Sequence, residues 1–241
     1  MAQLDPDLLL RAYSIGVFPM ADSRAAPDIF WVEPKKRGVL PLDGFRLSHS
    51  LGKTIRSDRF TVTADEAFRQ VVATCAEPTP LRPDTWINPQ IERAYAELHS
   101  RGHAHSIETW YDGELVGGLY GVKLGAAFFG ESMFSRMNDA SKVALAWLVA
   151  RLRVGGFKLL DCQFITDHLA SLGAVEIGRD AYVALLDEAL GVSGGFGAGS
   201  PSPAPDFFAL DRLEPTPADE AGTVSGPISG CFISQLLGHT S

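Results

Sequence analysis

The spacing of hydrophobic positions changes near residue 104, and this change separates two kinds of predicted element. Residues 88–102 carry apolar side chains at helical spacing, between an Asn-Pro start and a glycine stop. Residues 104–134 instead alternate apolar and polar positions. Within this segment, Asp112-Gly113 is a two-residue hairpin signal between the first and second predicted strands. The pattern predicts a helix followed by an antiparallel meander of three strands.

The same periodicities continue beyond the meander. They predict an amphipathic helix at 139–154, ended by two glycines, a strand at 157–164, and a short helix capped by Thr166. A short strand near Val175 and a helix at 180–190 follow. This order predicts an α+β layered domain over residues 63–190. It is similar to the order of elements in the GNAT-type acyltransferase core, although order alone carries no function.

The two ends of the chain differ from this domain. Residues 1–62 open with a short helix behind Asp5-Pro6 and continue as a Pro- and Gly-rich segment, which predicts a small N-terminal domain. A capping-box pattern at 63–66 predicts that the next helix begins there. Residues 191–241 hold nine Gly, six Pro and seven Ser, which predicts a low-complexity, disordered tail.

Composition changes this picture in one respect. Net charge is −8 over 241 residues, which argues against coating nucleic acid with the whole surface, and so against DNA as a partner. Residues 31–60, however, hold seven basic residues against three acidic ones. This local excess indicates a polyanionic partner bound on one face, or else a solvated polar face.

Several classes of protein are not indicated. The three cysteines form no C-x-x-C pair, so the sequence predicts a reducing compartment without a disulfide framework. The start of the chain lacks the basic region of a signal peptide, and apolar runs are short, which predicts a cytoplasmic protein without a membrane span. The histidines match no metal-binding spacing, so no metal site is predicted.

Three polar residues on predicted strands are the candidates for chemistry. Glu131 lies among apolar residues and either receives a cation, such as a substrate amine, or forms an internal ion pair with an arginine such as Arg136. Asp161 and Gln163 are two apart on one strand, so they are predicted to share a face, with Cys162 on the other. The aspartate then holds the glutamine amide, whose oxygen accepts from an incoming amine. The alternative is a polar pair at a strand end.

These residues lie within short sequence blocks that resemble those of the leucyl/phenylalanyl-tRNA–protein transferase family. The resemblance covers roughly residues 8–190. The matching blocks are residues 12–20, 31–34, 48–51, 86–87, 98–99, 102–108, 117–121, 130–135, 140–142, 161–163 and 168–174. Several blocks of six to nine residues in fixed order are much more specific than one short motif. The Gly-rich pyrophosphate loop of an acetyltransferase is missing at 135–140, which agrees with this resemblance.

The resemblance implies an activity and its partners. Leucine, phenylalanine or methionine is moved from aminoacyl-tRNA to proteins with an N-terminal Arg or Lys, which marks them for N-degron degradation. It implies a small N-terminal domain, a GNAT-like catalytic domain, a monomer and no cofactor. The rival hypotheses are a GNAT-type acetyltransferase and a non-catalytic module that binds tRNA ends or N-degrons. The second would not need Asp161 and Gln163.

The resemblance also implies roles for individual residues. Asp161, Gln163 and Glu131 form the catalytic group, in which Gln163 acts on the attacking amine either as a base or as a positioning group. The aminoacyl side-chain pocket comprises Leu119, Phe128, Met133, Leu152 and Leu160. The tRNA 3′-adenosine stacks on Trp86, Trp31 and Phe30. The tRNA backbone contacts Lys35, Lys36, Arg37, Lys53 and Arg56.

Overall fold

The structure is a computed structural model, and it describes residues 4–79, 83–191, 203–213 and 228–238. The α-helices of these residues are α1 (Pro6–Ser14), α2 (His49–Arg56), α3 (Phe68–Cys75), α4 (Pro89–Ser100), α5 (Ala140–Val154), α6 (Asp167–Ser171), α7 (Arg179–Leu190) and α8 (Gly230–Gly238). The strands are β1 (Phe18–Met20), β2 (Phe30–Val32), β3 (Lys36–Val39), β4 (Thr61–Ala64), β5 (Ala104–Tyr111), β6 (Glu114–Leu124), β7 (Ala127–Ser135), β8 (Leu159–Gln163) and β9 (Val175–Gly178).

A seven-stranded mixed sheet organises the molecule. Its strand order is β4-β5-β6-β7-β8-β3-β9, and β1 pairs with β2 in a separate two-stranded sheet. Among the described residues, every neighbouring pair of strands in the large sheet is antiparallel except β7 with β8, which run parallel. Helix α5 supplies the crossover that a parallel pair requires. The α+β class predicted from the sequence is confirmed.

Two apolar clusters cover the two faces of the sheet. One packs α5 against side chains such as Ile107 and Leu119. The other packs α1, α3, α4 and α7 against side chains such as Tyr120 and Phe129. Because alternate side chains of a strand point to opposite faces, each strand of the meander contributes to both clusters.

Local signals located most elements of the meander correctly. Asp112 and Gly113 have φ of 50° and 79°, as a type I′ turn requires. Asn88 caps α4 by accepting from Gln90 and Ile91. The predicted start of a helix at 63–66 is wrong, since strand β4 ends at Ala64 and α3 begins only at Phe68. Pairing with β5 overrides the local capping signal there.

The small N-terminal part comprises α1 and the β1–β2 pair. Strand β3 follows it, but β3 pairs with β8 and β9 near the other end of the domain. Strand β4 likewise forms an edge of the large sheet. The large sheet therefore draws strands from both sides of residue 62, where the sequence predicts the end of the N-terminal domain.

Two segments of the predicted disordered tail are folded, so that prediction is wrong for them. Residues 203–213 place Phe207 against the ring of His105, with ring centroids 4.1 Å apart. Helix α8 buries Ile233 and Leu237, one turn apart, against α2 and α5. Apolar side chains at helical spacing compensate for the low complexity around them. The remaining tail residues lie outside the described part of the chain.

Three further features concern the described residues only. No helix among them has the length and apolar character needed to cross a membrane. No group of three or more His, Cys, Asp or Glu side chains in the same residues is arranged to hold a metal ion. The cysteines form no disulfide.

Candidate active site

A cavity of about 370 Å³ opens where strands β7 and β8 separate. Their parallel pairing ends at Phe129 and Asp161, and the residues beyond them diverge. The cavity lies within the ~300–1,000 Å³ range of small-molecule sites. It is lined by Phe18, Met20, Trp86, Leu119, Tyr120, Gly130, Glu131, Ser132, Met133, Leu145, Leu148, Leu160, Cys162, Gln163, Phe164, Thr166, His168 and Leu169.

Glu131 lies in a β-bulge at the edge of this cavity. Its neighbours Gly130 and Ser132 pair with consecutive residues of β6, which leaves Glu131 as the extra residue. Its carboxylate accepts hydrogen bonds from Tyr13 at 2.6 Å and from Tyr95 at 2.7 Å. The bulge therefore aims a carboxylate between two tyrosines from α1 and α4.

Burial raises the pKa of Glu131 to about 7, because desolvation disfavours the charged form. The hydrogen bonds from Tyr13 and Tyr95 act in the opposite direction, and so does the charge of Arg37. Burial also raises the pKa of both tyrosines, which therefore remain donors. Glu131 is thus poised to exchange a proton near neutral pH, as a general base requires.

Gln163 breaks the side-chain alternation of strand β8. Its φ is +56°, in the left-handed region that non-glycine residues rarely adopt. Leu160, Cys162 and Gln163 line the cavity, whereas Asp161 does not. The sequence predicts that Asp161 and Gln163 share a face, and of the two only Gln163 lines the cavity. Cys162 does lie opposite Asp161, and burial raises its pKa to about 12.

The side chains of Asp161 and Gln163 do not bond to each other. Asp161 accepts from the backbone N–H of Gln163 at 2.8 Å. The Gln163 amide instead donates to Glu131 at 3.2 Å. Glu131, and not Asp161, therefore orients this amide. The alternative ion pair between Glu131 and Arg136 is wrong, since Arg136 pairs with Glu77.

Arg37 occupies a different place from the predicted one. It was predicted to contact the tRNA backbone, but it is only 1% exposed and forms an ion pair with Asp161. Its guanidinium lies 4.9 Å from the ring centroid of Phe18 and 4.5 Å from that of Tyr182. A buried, fully engaged guanidinium cannot reach a phosphate, so the prediction is wrong.

The predicted aminoacyl pocket is partly assembled. Leu119, Met133 and Leu160 line the cavity, whereas Phe128 and Leu152 are buried away from it. Helix α5 contributes Leu145 and Leu148 instead. Leu152 lies one turn beyond Leu148 on the same helix face. The sequence prediction therefore identified the correct face of α5 but not the turn that lines the cavity.

The predicted aromatic residues are divided in the same way. Trp86 lines the cavity, while Phe30 and Trp31 do not and are 43% and 39% exposed. Both lie on β2, whose partner strand β1 contributes Phe18 and Met20 to the cavity. The sequence analysis did not select these two, although they belong to the matched block 12–20.

The remaining basic candidates lie outside the cavity. Lys35 and Lys36 are exposed, and Lys36 donates to Glu176 at 2.8 Å. Lys53 and Arg56 lie on α2, and Arg56 donates to Ser234 of α8. All four side chains are exposed to solvent, so a large anionic partner can reach them.

Comparison with known proteins gives a consistent family. Residues 39–187 match the family model described as leucyl/phenylalanyl-tRNA protein transferase. Residues 2–35 match the model of the N-terminal domain of the same enzyme. The two matches together span nearly all of the region in which the described site residues lie.

Individual relatives agree with the family models. A leucyl/phenylalanyl-tRNA–protein transferase of Rhizorhabdus wittichii is 72% identical, over 100% of both chains. That of Zymomonas mobilis is 63% identical, over 88% of this chain and 77% of its own. The solved structure of L-PGS from Bacillus licheniformis covers 70% of this chain and 56% of its own at 11% identity with a TM-score of 0.39, too low for any inference. This chain belongs to the leucyl/phenylalanyl-tRNA protein transferase family.

Proposed function

We propose that this chain transfers leucine, phenylalanine or methionine from aminoacyl-tRNA to the N-terminal Arg or Lys of proteins. Family membership supports the reaction class. The observation that carries the proposal is the apolar cavity whose edge holds Glu131 and Gln163, hydrogen-bonded to each other. Such a site holds an apolar side chain in its interior and an amine at its polar edge.

The walls of the cavity account for the donor. Leu119, Leu145, Leu148 and Leu160 offer an apolar surface for an aminoacyl side chain. A rigid wall of this kind selects unbranched-at-Cβ side chains by shape and excludes valine and isoleucine. Trp86, which also lines the cavity, supplies a ring on which the 3′-terminal adenine stacks.

The polar edge accounts for the transfer step. The acceptor amine attacks the ester carbonyl carbon, a C–N bond forms, the ester C–O bond breaks, and the tRNA ribose hydroxyl regains a proton. Glu131, with its pKa of about 7, accepts the proton that the amine loses. The amide oxygen of Gln163 accepts a hydrogen bond from the amine and aligns it. The donor is an activated ester, so alignment supplies much of the rate.

The exposed basic residues suit the tRNA acceptor stem. We assign the backbone contacts to Lys35, Lys36, Lys53 and Arg56, and weaker stacking to Phe30 and Trp31. Because each phosphate contact releases counterions from the tRNA, the affinity for tRNA is expected to fall as the salt concentration rises.

The wider organisation is part of the same proposal. The proposal includes a GNAT-like core, which the parallel strand pair that diverges at the site supports. Domain limits near residues 62 and 190 and a monomeric state stay predictions. The acceptor is a protein that begins with Arg or Lys, and the product enters N-degron degradation in the cytoplasm.

The test uses radiolabelled leucyl-tRNA and two peptides that differ only in an N-terminal Arg or Asp. We expect label on the Arg peptide alone, and loss of transfer in Gln163→Ala with tRNA binding retained. Gln235→Ala, an exposed glutamine on α8, is the matched control. Transfer that is equal for both peptides would contradict the acceptor assignment. Binding of tRNA without transfer by the unmodified chain would identify a binding module.

A further inference from the structure

We propose that Arg37 is a positioning residue for the transfer reaction, acting through Asp161 on the backbone of Gln163. The inference rests on the function proposed above and adds a residue outside the cavity to the site. Arg37 and Asp161 are 1% and 0% exposed, and neither lines the cavity. Their effect on the reaction must therefore pass through a residue that does line it.

Asp161 is fully occupied by partners of this chain. Its Oδ1 accepts from Arg37 Nε at 2.9 Å and from the Gln163 backbone N–H at 2.8 Å. Its Oδ2 accepts from Arg37 Nη2 at 2.5 Å and from Tyr182 at 2.8 Å. A carboxylate with no exposed oxygen makes no contact with a substrate amine, so its role is to hold its neighbours.

The neighbour it holds is strained. Gln163 has φ of +56°, which is unfavourable for a side chain with a Cβ. This conformation persists only where surrounding contacts impose it. The hydrogen bond from the Gln163 N–H to Asp161 is such a contact, and it directs the amide toward Glu131 and the cavity.

Arg37 in turn fixes the carboxylate. Its planar fork gives Asp161 two parallel donors, and its remaining Nη1 donates to the carbonyl of Gly16 at 2.8 Å. The rings of Phe18 and Tyr182 pack against the guanidinium. An arginine is required here because a lysine ammonium cannot donate in this fork geometry.

The same arrangement connects distant segments to the site. Gly16 has φ of +80° and is so close to Tyr182 that an added Cβ would meet its ring at 2.8 Å. Arg37 thus connects the loop after α1, strand β8 and helix α7. Phe18 packs against the guanidinium and also lines the cavity, so the pair positions a wall as well as an amide.

The test compares Arg37→Lys with Arg101→Lys, in which an exposed, ion-paired arginine of the same chain is changed in the same way. We expect kcat of Arg37→Lys to fall about 100-fold, the loss typical of a small misplacement, while KM for leucyl-tRNA and for the Arg peptide changes little. Tyr182→Phe removes one donor to Asp161 but keeps the ring, so a smaller fall in kcat is expected. Arg101→Lys is expected to keep both constants.

Rates are divided by the folded fraction, measured by circular dichroism. An increase in KM for leucyl-tRNA with unchanged kcat would identify Arg37 as a tRNA contact and overturn the proposal. So would a kcat per folded molecule equal to that of the unmodified chain in both Arg37→Lys and Tyr182→Phe, since a purely structural ion pair affects only stability. Absence of transfer by the unmodified chain would contradict the proposed function instead, independently of Arg37.

Discussion

At the scale of single residues, the site contains one side chain with a shifted pKa and one residue in an unfavourable backbone conformation. Glu131 is partly buried and desolvation raises its pKa to about 7, so the fold favours its neutral form and ionisation is costly. Gln163 is held in a left-handed conformation. Such strain at a site persists because the surrounding packing supplies the compensating stability.

The raised pKa of Glu131 predicts a pH-dependent stability. Since the folded chain binds this proton more tightly than the unfolded chain, the stabilisation is present below about pH 4.5 and is lost as pH rises through about 7. Relative to Glu131→Gln, the unfolding free energy of the unmodified chain should fall by up to about 3 kcal/mol over this range. Urea denaturation at pH 5 and pH 8 measures it.

Activity should change in the opposite sense. Transfer by the unmodified chain should rise with pH through about 7, and Glu131→Gln should lose this step and leave only the titration of the acceptor amine near ~8. Glu97→Gln, an exposed position on α4, is the control for both measurements. A parallel pH dependence of stability in the Glu131 and Glu97 variants would show that the pKa of Glu131 is not raised.

At the scale of elements, helix α5 forms part of the cavity wall over one section of its length and part of the core over the next. Leu145 and Leu148 face the cavity, and Leu152 lies one turn deeper in the core. All three are buried, so burial alone does not distinguish a pocket wall from a core residue. The cavity makes the difference, because Leu145 and Leu148 line it and Leu152 does not.

This difference predicts distinct effects of two similar substitutions. Leu148→Ala should enlarge the cavity and shift the ratio of kcat/KM toward phenylalanyl-tRNA over leucyl-tRNA by about tenfold. Leu152→Ala should cost about 2–5 kcal/mol of unfolding free energy and leave that ratio unchanged. Competition between the two aminoacyl-tRNAs measures the ratio. Equal ratios in the two variants would mean that α5 does not form the aminoacyl wall.

At the scale of the whole molecule, the C-terminal segments complete the core behind the sheet. Phe207 stacks on His105, and its ring centroid lies 5.7 Å from that of Phe128. Arg151 of α5 donates to both carboxylate oxygens of Asp211 at 2.5 Å. Phe207 and Asp211 lie beyond residue 187, where the match to the family model ends, so they add a layer against the region that the model covers.

The added layer predicts a large contribution to stability. Phe207→Ala should lower the unfolding free energy by about 3–5 kcal/mol, because a buried aromatic ring leaves a cavity. Leu213→Ala, on the same segment but 43% exposed, should change it by less than about 0.5 kcal/mol. Urea denaturation compares the two. Equal stabilities would mean that residues 203–213 do not stay docked in solution.

The amino-acid sequence by itself determined what depends on a few neighbouring residues. The Asp112-Gly113 turn and the Asn88 cap follow from local backbone preferences, and the structure contains both. Glu131 and Gln163 were recognisable as a polar minority among apolar residues, Trp86 followed from the family resemblance, and all three line the cavity. Such signals need no knowledge of distant contacts.

The tertiary structure alone decided what depends on residues far apart in the chain. Arg37 reads as a surface cation until β3 pairs with β8 and places it against Asp161, 124 positions away. Gln163 reads as an ordinary strand residue, and only the structure shows its φ of +56° and the hydrogen bond from its N–H to Asp161. Phe207 reads as part of a disordered tail until His105 stacks on it. In each case a long-range contact outweighs a local preference, because burial and ion pairing contribute more than backbone propensity.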